Sequence, residues 1–571
     1  MDSYPAMEAH GLIGDLQTAA LVAKDGTLDW FCAPRFDSPS LFGGLLDRHK
    51  GGHFQVSPEG VDYVSKQLYL PGTPILITRF LSADGVGELV DFMPVAGDQP
   101  TDRHRLVRML RVVRGVMRFR VDCQPRFNYG RDPHELDAYP AGHVFRSPAL
   151  SLAVSLVRYP ETRPGEQAIQ VKDGGIWTIA TLREGEAGGA VLETGAPPDQ
   201  PHFYTPGEVQ ELLEQTRDFW RRWLGRSRYT GRWREMVERS AMTLKLMTYA
   251  PTGALIAAPT AGLPEQIGGQ RNWDYRYTWI RDASISVHTL LKLGFTDEAW
   301  RYIHWVDDRV CEARDSETPL QIMYRVDGSP DVAEEVLDHF EGYRGSAPVR
   351  IGNGAANQLQ LDIYGEVLNG LHEADCHGLQ TWVALDRAVR LAGRRGRPAD
   401  TDRWVRTRNK IYAQIMDRGF HSGRDAFVQH YATDVLDATL LAMPAVGLVS
   451  SRDPMWQSTL RAIGAELVSD SLVYRYDPAA SPDGLPGQES TFTMCSFWYV
   501  RALAESGRLD DATLTFEKML TYSSPLGLYS EEIAPTGQQT GNFPQAFSHL
   551  SLIGTALNLD RLLDAHPRGV V

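Results

Sequence analysis

The chain has 571 residues and a formal charge of −14, with 58 Lys and Arg against 72 Asp and Glu. The acidic balance, with its cations scattered along the chain, excludes a nucleic-acid partner and points to a neutral or weakly charged substrate. Five cysteines, widely spaced and without a Cys-x-x-Cys pair, exclude a disulfide framework or zinc scaffold.

Residues 1–10 show no basic stretch running into an apolar one, and no run of about 18 apolar residues occurs, so neither a secretory leader nor a membrane span is expected. The expected compartment is the cytoplasm. Up to about residue 205 the pattern is strand-like. Residues 74–82, 87–94 and 106–114 alternate apolar and charged side chains at a period near two, and glycine turns such as Lys172-Asp-Gly-Gly175 separate the runs. Residues 1–205 are therefore expected to form a β-sandwich domain. The spacing then becomes helical, with Val209, Leu212, Leu213, Phe219 and Trp223 near one stripe, which predicts a linker helix within 206–230. From 231 to 571 amphipathic helices alternate with loops. Helices are expected over 236–247, 282–293, 357–371, 382–391, 402–417, 437–443, 494–506 and 547–563. The fold class is thus multidomain, β followed by α.

Two polar, aromatic segments interrupt this helical series. Arg271-Asn-Trp-Asp-Tyr-Arg-Tyr-Thr-Trp-Ile-Arg-Asp282 alternates aromatics with charge. Flat rings can cover the apolar faces of a pyranose, and an adjacent Arg and Asp can hold its hydroxyls. The competing reading is a buried aromatic cluster with a structural ion pair. Leu528-Tyr-Ser-Glu531-Glu532 leads into Gly541-Asn-Phe-Pro-Gln-Ala-Phe-Ser-His549. Carboxylates at the mouth of such a loop suit a site in which one takes a proton from water, although adjacent glutamates are more often a solvated loop.

These segments, with Ile13-Gly-Asp-Leu-Gln-Thr-Ala-Ala20, Asp25-Gly-Thr-Leu-Asp-Trp-Phe-Cys-Ala-Pro-Arg-Phe-Asp-Ser-Pro-Ser40 and Glu341-Gly-Tyr-Arg-Gly-Ser-Ala-Pro-Val-Arg-Ile-Gly-Asn-Gly-Ala-Ala-Asn-Gln-Leu-Gln360, resemble glycoside hydrolase family 15, the glucoamylase, isomaltose-releasing and bacterial trehalase group. The resemblance runs nearly end to end. It implies a C-terminal (α/α)6 barrel whose loops gather at one end, and an inverting hydrolysis that needs one protonated and one ionised carboxyl roughly 6.5–9.5 Å apart. It assigns the base to Glu531, with Glu532 supporting it or facing outward. It makes Arg281 and Asp282 the pair that grips the nonreducing sugar, between the walls of Tyr275 and Trp279. Arg475 and the Gly484-Leu-Pro-Gly-Gln-Glu489 loop line the same mouth, or form a surface salt bridge and an ordinary turn.

The general acid is where the chain departs from the family pattern. The family carries a Trp-Glu on an extra segment between the helices that resemble Asp362-Ile-Tyr-Gly-Glu-Val-Leu368 and Trp382-Val-Ala-Leu-Asp-Arg-Ala-Val389. Only residues 369–381 intervene here, without a Trp-Glu. Glu373 is the local substitute, with Glu366 and Asp375 the other carboxyls. A Cys/His metal site around His372, Cys376 and His377 lacks a fourth ligand, so no metal and no cofactor is expected. Two functions follow. One is an exo-acting α-glucoside hydrolase on a small neutral carbohydrate such as trehalose, isomaltose or a short maltooligosaccharide. The other is a hydrolysis-deficient relative that binds a sugar or acts on another glycosylated or carbocyclic small molecule. Linkage preference and oligomeric state stay open from sequence.

Overall fold

A computed structural model describes residues 4–159, 169–197, 201–358, 360, 363, 377–396, 398–480, 487 and 489–566. The N-terminal part is built from antiparallel strands running from His10–Gly14 to Ala187–Thr194. Its organising element is the 20-residue strand Arg105–Gln124. The first half of that strand pairs with Gly85–Phe92 on one side and Ala187–Thr194 on the other. The second half pairs with His53–Pro58 and Gly175–Arg183. The change of partners falls at Gly115, whose φ is 76°. A Cβ there would run into the Asp84 carbonyl oxygen, so the strand can turn from one ladder to the next only with glycine. The expected period-two alternation holds in Leu76–Leu81, whose residues are alternately buried and half-buried.

Helix Pro206–Leu224 follows, and its start is written in the sequence. Thr205 and Glu208 form a reciprocal cap, with Pro206 at the first helical position. Helices Arg234–Leu246, Ala283–Leu293, His377–Arg395, Thr401–Arg418, Thr493–Glu505 and Ala546–Ala565 match the expected ones within a few residues. Residues 437–443 differ: they hold only the short 3₁₀ turn Ala438–Ala442, started by the Asp437 carboxylate accepting from the Thr439 amide. The helix expected over 357–371 falls almost wholly outside the described residues. Helices Thr296–Asp315, Pro454–Glu466 and Leu509–Thr521 add to the series.

Helix Ala546–Ala565 is buried on most sides and lies against Arg234–Leu246 and Thr493–Glu505. One apolar core runs from the N-terminal strands (Trp30, Phe31, Phe54) into the helical part (Tyr249, Ile256, Trp279, Leu550). A second gathers around Trp382, Met443, Trp456 and Cys495. Cys32, Cys123, Cys311 and Cys495 are free thiols, and Cys376 lies outside the described residues. Among the described residues, no helix is long and apolar enough to cross a membrane.

The two parts are joined by a buried guanidinium. Arg276 donates to both oxygens of Asp274, at 2.9 and 2.6 Å, and also to the Ser38 carbonyl at 2.7 Å and the Tyr129 hydroxyl at 2.9 Å. Removing one partner of a buried pair leaves the other charge uncompensated. Arg276→Met is expected to destabilise the chain by about 3–5 kcal/mol, read as a fall in the urea midpoint. A change within experimental scatter would mean that the pair does not tie the two parts.

Candidate active site

The strand Asn272–Asp274 leads into this segment, and its side chains part to two sides. Asp274 and Arg276 turn toward the N-terminal strands. Trp273 and Tyr275 turn to the other side, where both meet glutamates. The Trp273 indole donates to Glu265 Oε1 at 2.9 Å, and the Tyr275 hydroxyl donates to Glu531 Oε1 at 2.8 Å. Tyr275 and Trp279 stand edge to face with ring centroids 5.2 Å apart. The chain then enters the 3₁₀ turn Ile280–Asp282, where Arg281 Nε lies 3.2 Å from Asp282 Oδ1 and its guanidinium sits over the Phe547 ring.

Glu531 arrives from the other end of the chain. Its loop is stitched to the aromatic segment by Asn542, which donates to the Trp273 carbonyl at 2.8 Å and accepts from Thr260 at 2.9 Å. From behind, the neutral imidazole of His549 accepts from the Tyr529 amide at 3.3 Å and donates to Ser240 at 2.9 Å. Burial and the Arg239 charge push the imidazole down to about 3. Gly541, at φ 74°, makes room for the carboxylate: a Cβ there would lie 2.9 Å from Glu531 Oε2. That oxygen is buried and has no hydrogen-bond donor among the described residues.

Four glutamates, Glu265, Glu489, Glu531 and Glu532, share this interior. Arg271 donates to Glu489 at 2.6 Å, and Glu532 accepts from the Ser490 amide at 2.9 Å. Glu532 is 1% exposed, which rules out the outward position that the sequence left open. Arg475 lies over the Tyr476 ring within the fields of Asp437 and Glu489, whose charges hold it above the usual arginine range against burial. Desolvation pushes Glu531 up to about 7; the Tyr275 hydrogen bond opposes this, Glu489 adds to it, and Arg475 and Arg281 oppose it. Burial also lifts Glu265 and Glu532 well above the usual carboxyl range, with the neighbouring glutamates adding to it.

The structure thus brings Tyr275, Trp279 and Glu531 to one place, with Arg281 and Arg475 close enough to act on Glu531 electrostatically. Asp282 is fixed beside Arg281. Glu373, Glu366, Asp375, His372 and Cys376 lie outside the described residues. Glu265 and Glu489 gained no individual role from sequence. Glu265 follows an apolar run and precedes a glycine turn, and nothing in that local pattern marks it; the pairing of Ala261–Pro264 with Asn272–Asp274 is what carries it to Trp273. Among the described residues, no group of His, Cys, Asp and Glu could hold a metal ion.

The family model described as glycosyl hydrolases family 15 matches residues 231–381 and 378–557, and one described as trehalase-like, N-terminal matches residues 2–152. A trehalase of Mycolicibacterium smegmatis is 35% identical, the alignment covering 98% of this chain and 92% of that one. A trehalase of Thermoplasma volcanium is 32% identical, over 99% of this chain and 95% of its own. In structure the chain resembles a bacterial glucoamylase solved with acarbose, at a TM-score of 0.69, 13% identity and coverage of 98% and 95%. The N-terminal β-rich part and helical C-terminal part follow that fold.

Difference infrared spectroscopy of the carboxyl band, with Glu531→Gln identifying the signal, is expected to show Glu531 titrating near 7. Tyr275→Phe removes a hydrogen bond to the ionised form and should move that midpoint upward. A midpoint in the ordinary carboxylate range would mean that Glu531 is solvated.

Proposed function

Because the chain belongs to glycosyl hydrolase family 15 and is a glycoside hydrolase, we propose that it releases glucose from a small neutral α-glucoside by an inverting, exo-acting mechanism. Trehalose is the first substrate to consider, since the relatives that match almost the whole chain carry the name trehalase. Isomaltose and short maltooligosaccharides follow. We read residues 1–205 as a β-sandwich domain, 206–230 as a linker helix and 231–571 as an (α/α)6 barrel. On this reading the enzyme works without a cofactor, in the cytoplasm.

One observation carries the mechanism: Glu531 is buried, its Oε1 is held by the Tyr275 hydroxyl, and its Oε2 has no donor among the described residues. This arrangement suits a general base, with one oxygen fixed for aim and the other left without a partner to take the proton of a water. Arg281 and Asp282 hold hydroxyls of the nonreducing sugar, Tyr275 and Trp279 wall its ring, and Arg475 steadies the ionised base. In inversion, Glu531 takes a proton from the water as its oxygen bonds to the anomeric carbon. The glycosidic bond breaks on the opposite face, and an acid returns a proton to the leaving oxygen. Glu373 is our candidate acid, with Glu366 the alternative.

A second reading, that hydrolysis is lost while sugar binding stays, has its own support. The two stretches of the family match meet at 378–381, and the alignment with the M. smegmatis trehalase runs over 625 positions, more than this chain contains. The relative therefore carries residues without a counterpart here, and the missing Trp-Glu segment falls at that junction.

Glucose release from trehalose, isomaltose, maltose and maltotriose, followed by proton NMR, separates the readings. The first expects β-glucose, with a loss of about 10²–10⁴-fold in Glu531→Gln. Trehalose binding by calorimetry without release would establish the second. For an active enzyme, kcat/KM should rise with pH through about 7, because the base works ionised. Activity unchanged between pH 5 and 8 would remove Glu531 from that role.

A further inference from the structure

Glu265 stands beside Glu531 with no role in the mechanism above. Its backbone is pinned on both sides: its amide donates to the Arg271 carbonyl at 3.1 Å, and its carbonyl accepts from Ser490 Oγ at 3.0 Å. Oε1 is fixed by the Trp273 indole. Oε2 is buried and has no hydrogen-bond partner among the described residues. The nearest cation, Arg271 Nη1, is 3.9 Å from Oε2 and 2.6 Å from Glu489 Oε1, so its short bond goes to Glu489.

The open oxygen belongs to the same interior as the base. The Gly541 amide donates to the Pro264 carbonyl at 2.7 Å, one residue before Glu265, and a Cβ on Gly541 would come within 2.9 Å of Glu531 Oε2. A single glycine backbone thus links the loops that carry two carboxyls, each with one fixed and one open oxygen. A buried polar atom without a partner is costly, and proteins retain such atoms where a ligand completes them. Sugars offer a hydroxyl at nearly every carbon.

We propose that Glu265 contacts the substrate directly, its Oε2 hydrogen-bonding a hydroxyl of the bound glucoside. Burial and the charges of Glu531 and Glu489 favour the protonated form of this carboxyl. The Oε2–H therefore donates to the sugar oxygen while Oε1 accepts from Trp273. This leaves Glu531 to act alone on the water. The proposal rests on the reading that the site takes a glucoside, and it adds a residue that selects among glucosides by hydroxyl position.

The test is kcat/KM for the monodeoxy trehaloses with wild type, Glu265→Leu and Glu265→Gln, or calorimetric affinity for the same sugars if wild type does not hydrolyse them. One deoxy position should cost wild type about tenfold and cost Glu265→Leu nothing further. Glu265→Gln presents an amide N–H where the acid presents O–H, so it should keep that penalty and stay near wild-type affinity. Trp273→Phe, which frees the carboxyl to rotate, should weaken the same position only. If Glu265→Leu keeps every deoxy penalty, or Glu265→Gln fails as Glu265→Leu does, Glu265 does not touch the sugar. If wild type binds no trehalose at all, the function reading fails first and takes this proposal with it.

Discussion

The buried pair of Asp274 and Arg276 is the constraint on which the site depends. With Asp274 and Arg276 anchored toward Ser38 and Tyr129, Trp273 and Tyr275 are left to face the glutamates on the other side. Asp274 is further held by the Gly352 amide at 3.1 Å and the Tyr277 hydroxyl at 3.3 Å. A buried ion pair adds little stability relative to an apolar substitute, but once made it tolerates few alternative arrangements. The N-terminal β-rich part therefore sets the orientation of two site side chains from behind, through Arg276.

The second constraint is electrostatic. Four glutamates in one interior repel each other at low effective dielectric, and Arg271, Arg281 and Arg475 supply positive charge that opposes this. The environment divides the labour. Glu489 has its arginine, Glu532 accepts a backbone amide, Glu265 is pushed toward its protonated form by burial, and Glu531 is raised to about 7. Pushing neighbouring carboxyl groups apart in pKa is how one site can hold an acid form and a base form together.

Much of this was legible in the chain. The capping pattern of Thr205, Pro206 and Glu208 marks a helix start because it satisfies backbone donors locally, and local rules need no fold. The alternation in 74–82 reads as a strand for the same reason. The proposal of a sugar site at Tyr275, Trp279, Arg281 and Asp282 rests on residue types packed into one short segment, and that of Glu531 as base on the family pattern. Residues 437–443 look helical by spacing, yet Asp437 and the strand-like bridge to Tyr476 confine them to a single turn. Helix Thr296–Asp315 is hard to read by spacing because its buried stripe begins and ends on charged side chains, Glu298 and Arg309.

By itself the sequence determined the family, the order of β-rich and helical parts, the helix boundaries set by caps, and the residue types available for a carbohydrate site. All of these rest on interactions between near neighbours or on long matched motifs. Tertiary structure alone decided that Glu265 and Glu531, 266 positions apart, share one interior, that Glu532 is buried, and that Arg475 faces acids at the site. Those outcomes depend on which distant segments exclude water from one another, and the field a carboxyl feels is set by that exclusion.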